Sequence, residues 1–137
     1  MKLKINPTKN SWAIRQTFNM LFPFLKIEFF NSKHISGEAT SAKNMITGDR
    51  LLGEINPLIK EGFITLHPED TVAYIEQTFQ QEFGLSVQVF RKQHDVWIET
   101  TKSDQLTLAE QNEKAKLASA PATRTEPADR YLEDGQY

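Results

Sequence analysis

The stretch PEDTVAYIEQTFQQEFG (68–84), followed by LSVQVFRKQ (85–93) and HDVWIETT (94–101), decides the fold class of this chain. In its first part Val72, Ile75, Phe79 and Phe83 recur at spacings of three and four, the period of a helix with one apolar stripe. Asp70 or Thr71 can cap that helix, because either side-chain oxygen can accept a backbone N–H that the first turn leaves unpaired. Gln77, Gln80, Gln81 and Glu82 fall mostly off the stripe. Gly84 stands where a left-handed residue ends a helix, and Leu85 can fold back as the apolar contact of that stop. The period then changes to two. Leu85, Val87 and Val89 alternate with Ser86, Gln88 and Phe90, and Val96 and Ile98 alternate with Trp97 and Glu99. This predicts an antiparallel hairpin with one aliphatic face and a polar turn at Lys92 to Asp95. Burial of a Val, Leu, Ile or Phe contributes roughly 1.5–3 kcal/mol, so the stripe and the hairpin's inner face are expected to supply much of the core.

Towards the N-terminus, Leu3 and Ile5 alternate with Lys2 and Lys4, a short strand. Pro7 to Ser11 turns into a helix capped by Asn10 or Ser11, with Ile14, Phe18, Leu21 and Phe22 as its stripe and Pro23 as its stop. Phe24 to Phe30 reads as a second strand, Leu25, Ile27 and Phe29 on one face and Lys26, Glu28 and Phe30 on the other. Residues 31–50 shift to Ser, Thr, Lys, Asn and Gly, a long loop of the kind that often carries function. Asn56-Pro57 resembles a cap followed by a first helical residue, with Gly62 as the end of a short turn, and Phe63 to Leu66 is a brief strand. Beyond the hairpin, Thr107 and Glu110 form a capping box for a helix over 108–118 whose apolar face is thin: Leu108, Ala115, Leu117 and Ala118. Residues 119–137 are rich in Pro, Ala and charge and are expected to be disordered. One domain, 1–118, with this tail is the organisation that 137 residues suggest.

The order of elements points to an α+β protein. The expected architecture is one antiparallel or mixed sheet with helices on one face, a ferredoxin-like split β-α-β, with a β-grasp as the alternative. EGFITLHPEDTVAYIEQ (61–77) resembles the strand-turn-helix opening of ubiquitin-like domains, which implies the β-grasp arrangement. FGLSVQVFRKQHDVWIETT (83–101) and DQLTLAEQN (104–112) are similar to short bacterial α+β proteins, a resemblance that implies a compact domain and no particular activity.

Composition excludes several classes. No run of about 18 apolar residues exists to span a bilayer, and MKLKINPTKNSW lacks the apolar stretch of a secretory signal. The chain has no cysteine, hence no disulfide framework, which fits the reducing cytoplasm. A net charge of −2 argues against a dedicated non-specific DNA binder. The three histidines, His34, His67 and His94, have no metal or catalytic spacing and read as loop residues. No Gly-x-Ser-x-Gly and no phosphate loop occur, so no catalytic residue, metal ligand or cofactor is assigned. Asp104 at the hairpin exit reads as structural, and Trp12 as a core anchor.

The candidate site is the reverse face of the expected sheet. With the aliphatics turned to the helices, that face shows Lys2, Lys4, Lys26, Glu28, Phe30, Gln88, Phe90, Trp97 and Glu99. Phe30, Phe90, Trp97, Lys4 and Lys26 are therefore the expected binding residues, aromatic rings among ammonium groups. Three functions fit. The first is a non-catalytic binding or assembly module, self-associating through this face or holding a protein partner with the C-terminal tail. The second is a single-stranded nucleic-acid binder that stacks bases on the rings. The third is a small-ligand or enzyme site beneath the loop 31–50, using His67 or Asp70.

Overall fold

The structure is a computed structural model that describes residues 1–31 and 44–119. Most of the expected loop, 32–43 with His34, and the expected tail from 120 lie outside the described residues. Asn10 caps the first helix, α1 (Ser11–Leu21), its side chain accepting the Trp12 N–H at 2.8 Å. Thr71 caps α3 (Val72–Phe83) through the Tyr74 N–H, and Gly84 closes that helix at φ +61°. Val72, Ile75, Phe79 and Phe83 are all buried, as the spacing predicts. The capping box at α4 (Leu108–Ala118) is complete: Thr107 Oγ1 accepts the Glu110 N–H at 3.1 Å, and Glu110 Oε1 accepts the Thr107 N–H at 2.8 Å. The short helix α2 (Leu52–Ile55) lies before Asn56 rather than after it. Asn56 follows α2 and uses its side-chain oxygen to accept the Leu58 N–H, a turn signal that sequence alone confuses with a cap.

The α+β class is as expected, but the strands form two antiparallel sheets, not one. β1 (Lys2–Ile5) pairs with β3 (Gly62–Thr65). β2 (Leu25–Phe30), β4 (Ser86–Gln93) and β5 (Val96–Glu99) form the other sheet in the order β2-β4-β5. The division has a local cause. After β1 the main chain spends its hydrogen bonds on residues 50–53: Gly53 N–H donates to Pro7 O, Leu52 N–H to Lys9 O and Ser11 N–H to Arg50 O. The outer edge of β2 is met instead by Met45 and Ile46, the Ile46 N–H donating to Phe29 O at 2.8 Å.

One apolar cluster spans both sheets, from Leu3, Ile5 and Ile64 to Leu25, Ile27, Val87 and Val89, with Ile14, Phe18, Leu52 and Leu108 from the helices. Phe79 meets Phe29 edge to face at 6.3 Å. α4 docks largely by polar contacts: Asn112 Oδ1 accepts the Phe24 N–H at 2.9 Å, and the fully buried Gln111 donates to Ser103 O at 2.7 Å. Among the described residues no helix is long and apolar enough to cross a membrane.

Candidate functional site

Register sets which side chains share the outer face of the three-stranded sheet. Lys26 is opposite Phe90, Glu28 opposite Gln88, Phe90 opposite Glu99 and Lys92 opposite Trp97. Directly opposed residues point the same way, so Lys26, Glu28, Phe90 and Trp97 form one patch, as the alternation predicts. The Lys26 ammonium lies 5.4 Å from the Phe90 ring centroid and 5.2 Å from that of Trp97, within cation–π range of both. It also stands 3.3 Å from Glu28 Oε2.

Helix α1 completes the patch from the side. Asn19 Nδ2 donates to Leu25 O at 2.8 Å and fastens the helix beside β2. Arg15 then reaches Glu28 Oε1 at 3.4 Å and Asp49 Oδ1 at 3.9 Å. Between helix and sheet is an open concavity of about 270 Å³ lined by Trp12, Arg15, Gln16, Lys26, Glu28 and Trp97. Trp12 is 49% exposed and is no core anchor, which corrects the sequence reading. The sequence held the signal: Trp12 lies two residues from Ile14, on the opposite side of the helix, and Trp12, Gln16 and Met20 follow one another at spacings of four.

Two of the expected binding residues do not take part in this patch. Lys4 is on β1, in the other sheet. Phe30 shares the outer face but is 2% exposed, because the end of β2 runs against the Ile55–Asn56 turn and the C-terminal end of α3, with which it lines a cavity of about 210 Å³. Phe90 is largely buried, with the Lys26 ammonium over its ring. Val96, expected to face the core, is 58% exposed, since it stands opposite Gln93 at the far end of the hairpin, beside the turn.

His67 and Asp70 line a groove of about 380 Å³ with β3 and α3, and no described residue of the loop 31–50 takes part in it. Among the described residues no group of three or more His, Cys, Asp or Glu is placed to hold a metal ion. Comparison with protein-family models, with curated proteins and with solved structures yields no match.

Proposed function

We propose that this chain is a small cytoplasmic assembly module that pairs with a second copy of itself through the Trp12–Lys26–Trp97 concavity. The observation that supports this is the charge arrangement beneath the two tryptophans. Arg15 and Lys26 contribute two positive charges, and Glu28 and Asp49 two negative ones, all linked at 3.3 to 3.9 Å. A patch that carries both signs in equal number is able to complement its own copy across a two-fold axis. Trp and Arg are also the side chains that most often anchor protein interfaces. Met20, 78% exposed one turn beyond Gln16, extends the apolar rim of the same helix face.

The same pairing weighs against single-stranded nucleic acid. Phosphate binding draws on cations free to replace counterions, and here both cations that line the concavity, Arg15 and Lys26, already have a carboxylate within 4 Å. The test is sedimentation equilibrium over a wide concentration range. The wild-type chain is expected to dimerise, and Trp12→Ala to weaken the dimer by about thirtyfold, the effect of a hot-spot residue worth about 2 kcal/mol. Trp12 is exposed, so the variant is expected to keep its fold by circular dichroism. A wild-type monomer at every concentration rejects the dimer, and quenching of tryptophan fluorescence by single-stranded RNA at low salt would move the assignment to nucleic acid.

A further inference from the structure

We propose that the free edge of β3 and the facing side of α3 form a seat for an extended peptide, which joins the two-stranded sheet as a third strand. The surface belongs to the other sheet and shares no residue with the tryptophan concavity.

The hydrogen-bond pattern of β1 and β3 supplies the first reason. In an antiparallel pair, residues that exchange both main-chain bonds alternate with residues whose N–H and C=O point away from the partner. The Leu66 N–H donates to Met1 O at 2.8 Å, which makes Met1 and Leu66 a bonded pair. Stepping by two, Leu3–Ile64 and Ile5–Gly62 are bonded pairs, and Lys2–Thr65 and Lys4–Phe63 are not. Phe63 and Thr65 therefore turn two N–H groups and two carbonyls away from β1, and among the described residues no strand meets that edge. An open strand edge of this kind is a template for another extended chain.

The groove of about 380 Å³ supplies the second. Phe63, Ile64 and Thr65, three consecutive residues, all line it, so it runs along the edge of the strand rather than over one face. Its opposite wall is Tyr74, Thr78, Gln81 and Glu82, one stripe of α3 at helical spacing, with Asp70 at one end. A groove walled by a strand edge and a helix stripe suits extended main chain.

Charge and exposure specify the occupant. A residue opposite Ile64 points to the side of the sheet that faces α3, where Glu82 and Asp70 present carboxylates. Residues opposite Phe63 and Thr65 lie on the outer side, beside the 57% exposed Phe63 ring. The seat is therefore suited to an apolar-basic-apolar segment, Lys or Arg toward the helix and branched aliphatics outside.

The test is an amide-resolved NMR titration of the full chain with the synthetic peptide acetyl-Ser-Val-Lys-Val-Ser-amide. Binding is expected to shift the Phe63 and Thr65 amides downfield and to slow their exchange with solvent. Glu82→Lys, an exposed substitution, is expected to weaken binding by about fivefold, the scale of one exposed ion pair, and a peptide N-methylated at both Val residues, whose N–H groups face the Phe63 and Thr65 carbonyls in an antiparallel pairing, is expected not to bind. No shift at millimolar peptide, shifts that spare Phe63 and Thr65, or equal binding of the methylated peptide would overturn the proposal. Concentration-dependent shifts of the same amides without peptide would overturn it in favour of β3 pairing between copies.

Discussion

Glu76 ties α3 to the main chain of β4. It is 3% exposed, and its Oε2 accepts the Val89 N–H at 3.0 Å, just past Phe90, where the pairing of β4 with β5 ends. A helix carboxylate thus stands in for the next strand at that point. Removing it leaves a buried N–H without an acceptor, at a cost of about 1–3 kcal/mol. Glu76→Ala is expected to lower stability by about 2 kcal/mol, and Glu76→Gln, which keeps an acceptor oxygen, by less, both read from urea unfolding. Ser86 is the converse case. Its hydroxyl is buried with no hydrogen-bond partner among the described residues, so Ser86→Ala is expected to be neutral or slightly stabilising in the same assay. Neither fact was legible in the sequence. Glu76 looks like any helix glutamate, because its partner is a main-chain group on another element.

Among the elements, the caps and stops were legible because each is settled within a few residues. Thr71, Gly84 and the Thr107–Glu110 box all act as their positions suggest. Gly84 joins local and distant constraints: at φ +61° a Cβ would sit 2.6 Å from Asn56 Nδ2, the group that donates to Phe83 O at 2.8 Å. Left-handed strain of about 1–2 kcal/mol and a displaced hydrogen bond act together there. Gly84→Ala is expected to cost about 2 kcal/mol by urea unfolding, and Asn56→Ala to relieve part of the clash in the double variant. What misled was chemistry that serves two ends of a helix equally well. Asn56 closes α2 with its main-chain N–H, which donates to Leu52 O at 2.8 Å, while its side-chain oxygen accepts the Leu58 N–H of the turn that follows. The inward face of β5 also misled, since alternation gives the direction of Val96 and Ile98 but not whether anything lies above them.

For the molecule as a whole, the choice of partners between strands was the part out of reach. β1 and β3 are far apart in the chain, and either could have joined β2 on the strength of its pattern alone. What excludes this is the set of bonds from Pro7, Lys9 and Ser11 to residues 50–53. The candidate site followed from that division. Its sheet half, Lys26 with Phe90 and Trp97, rests on one hairpin and one neighbouring strand and was readable. Its helix half needed the packing of α1 beside β2, and Lys4 was lost when the sheets separated. The two sheets share one core, and Leu108, fully buried, is the contribution of α4 to it. Leu108→Ala is expected to destabilise the entire chain by about 2–5 kcal/mol, with α1 and α4 losing amide protection in a single cooperative step rather than α4 peeling away alone.

The position of α4 also bears on how the protein is made. Its first turn takes the carbonyls of Asp70 and Pro68 through the Leu108 and Ala109 N–H groups, and its last turn meets Lys92 through Ser119. These anchor points have all been synthesised before the helix itself. A nascent chain arrested on the ribosome with Gln105 as its last exposed residue would hold a vacant slot shaped for one leucine. Such a chain should bind chaperones and proteases readily, and release of the next fifteen residues should end that vulnerability at once.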